Sequence, residues 1–383
     1  MRVRYTIIFF ATLIVLVVLH ISPAFAQTHD HVLGGFEMNG YVIAVAGWQR
    51  FSNDPITANG DDGSYEGPIG AWLPGAVVAG AAAPQPGSNF IGFFIPKVEF
   101  DIIKRFGNRA RLRADLQFGR PQSGSGAGFF NLEHAYAVVT LVEKYNVELW
   151  LGRIGLQAGF EPYQNYYNDT ISWSLLWRSI FPPAFITGAQ ISAVFSDNWS
   201  LYVAVGNGAI RDTTAMPKEM PSWVTSLIYS WGEQINESSL VLTGWFGPES
   251  NSNRHFTFGC DVTLSWWIAP KWELGLEAEW QRDNGNGGPN TDYAAALLNL
   301  HWDFAPKWYG VFKYAYGQQF DVGNGVINKT GAKQQIHEHS LALGYYIADS
   351  AKLKLEGRFD VVAPAGGRTQ YVGGTAIALN YAF

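Results

Sequence analysis

The feature that most restricts this chain is a two-residue rhythm whose apolar side begins and ends in tryptophan. Trp272, Leu274, Leu276, Ala278 and Trp280 alternate with Glu273, Gly275, Glu277, Glu279 and Gln281. Successive side chains of an extended strand point to opposite faces, so one face here is oily and the other carries carboxylates. Tryptophans at both ends of the oily face suit a strand that crosses a bilayer, one at each lipid–water interface, about 25 Å apart. The division recurs elsewhere. Phe94, Val98, Phe100 and Ile102 oppose Lys97, Glu99 and Asp101, and Leu112, Ala114, Leu116 and Phe118 oppose Arg111, Arg113, Asp115 and Gln117. Near the end, Leu353, Leu355, Gly357 and Phe359 oppose Lys352, Lys354, Glu356, Arg358 and Asp360. A soluble β-sandwich alternates in the same way, so the rhythm alone leaves two fold classes open.

Spacing separates them. Strands are expected to begin near Gly40, Gly92, Ala110, Phe130, Val147, Ile186, Ser200, Trp223, Ser238, His255, Trp272, Thr291, Trp308, Gln335, Lys352 and Tyr371. Tight connections fall at 106–109, 143–146, 196–198, 232–237, 269–271, 305–307 and 348–350. Between them lie long segments rich in Gly, Asn and Pro: 52–91, 119–128, 154–185, 209–221, 247–254, 283–290, 318–333 and 361–369. Strict alternation of short and long connections, with an even number of strands, is the pattern of a bacterial outer-membrane barrel. The expected fold is therefore all-β: a transmembrane antiparallel up-and-down β-barrel of about sixteen strands, with short periplasmic turns and long extracellular loops. Two turns are nearly one phrase, Ile268-Ala269-Pro270-Lys271-Trp272 and Phe304-Ala305-Pro306-Lys307-Trp308, and Ser196-Asp197-Asn198-Trp199 is a looser version. Each sets a proline or an Asx where the ladder ends and a tryptophan where it restarts.

Composition agrees with that reading. Only 15% of the 383 residues are charged, against about 25% in soluble domains. Residues 1–26 read as a cleavable signal peptide, with Arg2 and Arg4 before an apolar run and Ala24-Phe25-Ala26 at the cleavage site. Residues 27–383 form the barrel, and no later apolar run reaches the ~20 residues of a membrane helix. The single cysteine, Cys260, excludes an internal disulfide and a thiolate metal cluster. A net charge of -6 with no basic block gives nucleic acid no electrostatic footprint. Ile377, Leu379, Tyr381 and Phe383 share one face, and the terminal Phe383 is the expected signal for the barrel-assembly machinery. Outer-membrane lipid and lipopolysaccharide are the expected surroundings.

No arrangement for acyl, phosphoryl or metal-assisted chemistry stands out, so no catalytic residue, metal or cofactor is expected. His337 and His339 lie two apart on one strand face and His29-Asp30-His31 stands near the start, each lacking a third ligand. Asp283-Asn284-Gly285-Asn286-Gly287 lacks the spaced glutamate of a calcium loop. The lumen-facing charges are more informative. Lys97, Glu99, Asp101, Arg111, Arg113 and Asp115 are expected to line the pore on the second and third strands, and Lys352, Lys354, Glu356 and Arg358 on the fifteenth. Glu273, Glu277 and Glu279 line the eleventh, roughly opposite. Two readings stand side by side: a basic wall facing an acidic wall across a transverse field, or bases paired locally with neighbouring carboxylates. The loop 154–185 is dense in Tyr163, Tyr166, Tyr167, Trp173, Trp177 and Arg178. Such polar-tipped aromatics suit a constriction that stacks on sugars, or a loop packed against the inner wall. The loop around 72–83 suits a plug or a contact with another protomer.

From Glu133 to Ile191 the chain resembles a known family. Glu133-His134-Ala135-Tyr136, Trp150-Leu151-Gly152-Arg153, Gly159-Phe160-Glu161, Trp173-Ser174-Leu175-Leu176-Trp177 and Pro183 through Thr187-Gly188-Ala189 are similar to the OmpL-like β-barrel porins of the β-barrel porin-2 type. Asn207-Gly208 and Trp245-Phe246-Gly247-Pro248 are similar too. The resemblance implies a general or oligosaccharide-type channel with no catalytic residue. It departs from the family where a polar Tyr-Ser-Arg phrase is replaced by Trp173-Ser174-Leu175, with Arg178 following. The expected function is passive diffusion of small hydrophilic solutes or ions, and the alternative is a loop-plugged adhesin or structural barrel. Trimers are common among barrels of this size.

Overall fold

The computed structural model describes residues 35–51, 89–118, 130–161, 168–172, 174, 185–207, 220–232, 237–248, 256–284, 290–320, 334–364 and 369–383. The expected signal peptide at 1–26, the 72–83 loop, His29 and His31 lie outside them.

Sixteen strands follow one another: β1 (Phe36–Phe51), β2 (Asn89–Phe106), β3 (Ala110–Phe118), β4 (Phe130–Val142), β5 (Val147–Gly155), β6 (Phe185–Val194), β7 (Trp199–Gly206) and β8 (Ser222–Trp231). They continue as β9 (Ser238–Pro248), β10 (Phe256–Ala269), β11 (Trp272–Asn284), β12 (Asn290–Ala305), β13 (Trp308–Phe320), β14 (Gln334–Ala348), β15 (Ala351–Pro364) and β16 (Gln370–Ala382). Each pairs antiparallel with its sequence neighbours, and β1 closes on β16, giving a barrel without an edge. Closure satisfies the backbone donors and acceptors that an open edge would leave bare in lipid. At the seam Gly40 and Phe383 exchange both backbone bonds, at 3.0 and 2.9 Å, and the Phe383 ring meets Phe100 edge-on.

The interior and exterior are reversed relative to a soluble protein. Large apolar side chains such as Ile95, Leu151, Leu341 and Leu355 stand outward, Leu341 with 65% of its surface exposed. Charged residues such as Glu99, Glu133, Lys313, Glu338 and Arg358 are buried. At the tight-turn end the outward aromatics form a girdle. Trp272 stacks on Trp302 at 4.9 Å, Trp302 meets Phe304, and Phe304 leads to Trp308 and on to Tyr345.

The repeated turn phrase has a common construction. Ala269 pairs with Trp272, Ala305 with Trp308 and Ala348 with Ala351, leaving two residues in each turn, and a register shift precedes each. A proline's fixed φ suits the first turn position at Pro270 and Pro306, and a bulge of one extra residue supplies the twist such a turn lacks. The carbonyls of Lys271, Lys307 and Ser350 then accept from Asp303, Tyr346 and Ala382 on the next strand.

One part of the alternation differs from expectation. The expected outward face of β2 held even-numbered positions throughout, whereas above Lys97 the odd-numbered Phe93 and Ile95 are exposed. The β1–β2 register shifts between Ile43 and Val45, and that extra residue reverses the phase of the strand above Lys97.

Candidate pore lumen and inserted loop

All thirteen charged residues expected on the inner wall belong to β2, β3, β11 or β15. On the first side of the barrel the bases are paired locally. Lys97 reaches Glu99 at 2.7 Å and Glu133 at 2.5 Å, and Tyr41 donates to Glu99. Arg111 forks onto Glu148 with two bonds of 3.0 Å and lies over the Trp150 ring. Arg113 pairs with Asp115 at 2.7 Å and approaches Asp101 at 3.5 Å, and Asp115 also meets His134 at 2.6 Å. Lys352 lies over the Tyr346 ring.

The loop that follows β5 runs inside the barrel and ties itself to strands far away in sequence. Ser226 of β8 and Thr243 of β9 donate to the Gln157 carbonyl at 2.9 and 2.7 Å. Gly159 N–H donates to Asp261 on β10 and Phe160 N–H to Glu277 on β11. The Phe160 ring occupies the space where a side chain at position 275 would begin, so glycine is required there. His301 on β12 meets Asp169 at 2.9 Å, and Tyr309 on β13 donates to the Asp169 carbonyl. Tyr309 itself fits only because Gly344 has no side chain. Burial works to raise the Asp169 carboxyl, and the hydrogen bond from His301, with Lys352 and Lys354 nearby, outweighs it and holds the group below the ordinary aspartate range.

The far side of the loop is held by charge. Lys313 Nζ meets Glu161 at 2.9 Å, Thr170 Oγ1 at 3.0 Å and the Ser172 carbonyl at 2.8 Å. Glu356 accepts from Ile171 N–H, Ser172 N–H and the Ser172 hydroxyl, at 2.5, 2.9 and 2.5 Å, and from Ser340. Lys354 donates to the Asn168 and Thr170 carbonyls. Arg358 meets Ser172 Oγ at 3.0 Å, Glu338 at 3.1 Å and Asp360 at 2.8 Å. Within the loop, Ser174 N–H donates to Glu161 and Thr170 N–H to Asn168 Oδ1, a local Asx turn.

The β11 acids stand apart from these pairs. Glu273 accepts from Ser265 at 2.5 Å. Glu277 receives the Phe160 backbone, and Glu279 has no hydrogen-bond partner on either oxygen. Tyr163, Tyr166, Tyr167, Trp173, Trp177 and Arg178 lie outside the described residues. His337 and His339 are less buried than Ile336, Glu338 and Ser340, which alternate with them on the inner face, and they share the outer face with Tyr314 and Tyr316. Glu161, Lys313, Glu338, Glu148, Asp169 and His301 were not singled out from the sequence. Glu161 and Glu133 do sit in the phrases that carry the family resemblance. Lys313 lies among Tyr309, Val311 and Ala315, an apolar stretch of inner wall that hides its role.

Known structures share this architecture at low identity. The outer membrane channel DcaP of Acinetobacter baumannii matches with a TM-score of 0.60 and 12% identity, covering 91% of this chain and 98% of that one. An anion-selective porin from Comamonas acidovorans matches with a TM-score of 0.56 and 12% identity, over 91% and 99% of the two chains. The trimer form of OmpT, an outer membrane protein of Vibrio cholerae, gives a TM-score of 0.55 at 11% identity, over 91% and 100%. No curated protein matches the sequence. The sequence profile described as "Putative beta-barrel porin-2, OmpL-like" matches residues 93–381. With the profile spanning most of the barrel, the chain belongs to this family of β-barrel porins.

Proposed function

We propose that the protein lets small hydrophilic solutes and ions diffuse passively through an aqueous lumen that the inserted loop narrows. The observation that carries this reading is the closed sixteen-strand barrel with a charged inner wall and one loop tied to that wall along β8 to β15. Barrels of this strand number leave room for water inside. The DcaP channel and the anion-selective porin are relatives in fold that support a channel role. In this reading residues 1–26 are a removed leader, Phe383 is read by the assembly machinery, and lipopolysaccharide surrounds the outer end. The trimer form of OmpT supports a homotrimer.

Solute choice follows from the unequal walls. Lys97, Arg111, Arg113 and Arg358 each face a carboxylate, so their fields are cancelled at short range. Asp261, Glu277 and Glu279 have no such partners among the described residues, which tilts the lumen towards cations. Single-channel recording in a planar bilayer under a salt gradient tests both points. Stable steps with a cation-favouring reversal potential support the reading, and an Arg111→Glu, Arg113→Glu variant is expected to shift that potential further the same way. A folded but silent barrel would instead support the loop-plugged reading, which the near-complete burial of Glu99, Glu133, Lys313 and Glu338 favours.

A further inference from the structure

The inner wall formed by β10 and β11 carries a group of acceptors that no donor among the described residues satisfies. Asp261, Glu277, Glu279 and Gln281 are only 1, 3, 3 and 6% exposed. Asp261 stands directly across the ladder from Glu279, and Glu277 is two residues along on the same face. Asp261 uses one oxygen for Thr263 and Gly159, and Glu277 uses one for Phe160. Among the described residues, five oxygens find no donor while the carboxyls are ionised: Asp261 Oδ2, Glu277 Oε1, both oxygens of Glu279, and Gln281 Oε1, with Asp261 and Glu277 close enough to share a proton. The ionisable neighbours of Glu279 on this wall are the acids Glu277 and Asp261, and no base pairs with it among the described residues.

Such an arrangement is costly unless a positive charge completes it. Buried acceptors lacking a donor are rare, and like charges facing each other across a ladder repel. Gln281 adds an observation independent of the acids: a neutral, buried carbonyl oxygen on the same face, also unused. All the free atoms are oxygens, which selects a hard cation over a soft one. Their near-complete burial favours a small ion over an organic cation.

We propose that Asp261, Glu277, Glu279 and Gln281 form a binding site for a hard divalent cation of the calcium type on the inner wall of the barrel. A second acidic group makes a useful contrast. Glu99, Asp101 and Asp115 bring their oxygens within 4.8 Å of one another, yet Lys97 pairs with Glu99, Arg113 and His134 pair with Asp115, and Arg113 approaches Asp101, which leaves Asp101 Oδ1 as the one buried oxygen of the three acids without a hydrogen bond. The β10–β11 oxygens are less tightly gathered, and no base pairs with them among the described residues. The site does not depend on the pore conducting, because the ion is held at equilibrium by the wall.

The test uses the folded full-length barrel. Trp245 is buried, stacks into the space above Gly259, and lies beside Gln281 through that residue in the ladder. It is therefore a built-in antenna for terbium luminescence. Wild-type protein is expected to bind terbium saturably, to release it to calcium, and to show calcium binding by calorimetry with one ion per chain. Glu279→Gln is expected to weaken calcium at least about tenfold, Trp245→Phe to dim the luminescence while leaving the calorimetric affinity unchanged, and Asp101→Asn to alter neither. Heat-modifiability on gels confirms that each variant is folded. Equal calcium affinity in wild type and Glu279→Gln overturns the proposal. So does loss of binding in Asp101→Asn, which moves the site to the other cluster, and so does absence of saturable binding through about 1 mM calcium.

Discussion

The β13–β15 wall and the β10–β11 wall both touch the inserted loop, and they do so by opposite means. On β13–β15, Lys313, Lys354, Glu356 and Arg358 each reach the loop with an ionisable head group, at its backbone, its hydroxyls or Glu161. On β10–β11, Asp261 and Glu277 receive one backbone N–H each and turn their other oxygens on no base, and Glu279 receives no donor among the described residues. The first wall is a closed network in which each member leaves another stranded if removed. The second has acceptors in surplus, so removing one relieves the structure. Similar residue types on one inner face thus hold the loop in one place and create capacity for a ligand in another.

Substitutions can break that contrast, and the largest effect belongs to the closed network. Lys313→Met strands Glu161 and Glu338, and leaving a buried charge unpaired costs about 3–5 kcal/mol. Loop release is the expected result, read as protease cleavage within 154–185 while the barrel stays folded, and adding Glu161→Gln is expected to recover part of the loss. Glu356→Ala strips the acceptor from Ile171 and Ser172, and a cost of about 2 kcal/mol in loop docking is expected by the same proteolysis.

Packing ranks next. Gly275→Val drives a side chain into the Phe160 ring, which costs about 1–3 kcal/mol. Phe160→Ala in the same chain is expected to suppress that defect, as a double-mutant cycle on thermal unfolding would show. Glu279→Gln carries the opposite sign: calcium-free protein is expected to gain up to about 1 kcal/mol in unfolding free energy, because no donor is lost. If Glu279→Gln weakens the barrel as Glu356→Ala does, the two walls are not different in kind.

The smallest effect is one of pH. Asp169 is held below the ordinary aspartate range, so its share of loop docking is complete at neutral pH. That share is lost only as the pH falls below the range of an unfolded aspartate and through the lowered folded value. Protease sensitivity of the loop is expected to rise in acid, and Asp169→Asn is expected to flatten that rise.

The barrel itself was legible because each strand repeats every two residues and each turn announces itself. The starts of β3, β4, β5, β9, β11 and β13 coincide with those read from the sequence. The phase of β2 was not legible, because a bulge depends on the partner strand and leaves no trace in the alternation. The local pairs were only half legible. Arg113 with Asp115 and Arg358 with Asp360 are two residues apart on one face, and alternation finds them. Lys97 with Glu133, Arg111 with Glu148, and Lys313 with Glu161 join different strands or a strand and the loop. Such partners are set by register and by where the loop lies, and neither is written in local spacing. His337 and His339 lie two apart on one strand face, and the face they share with Tyr314 and Tyr316 follows from the same two-residue rule.

The central claim is that the charged latch on β13–β15 holds the loop so as to narrow the lumen and leave it open. Single-channel conductance of wild type and Lys313→Met, recorded in the same bilayer and salt, tests it most directly. Stable steps in the wild type, with larger and noisier steps in the variant, are the predicted result. A folded wild-type barrel that passes no current, with Lys313→Met equally silent, would contradict it.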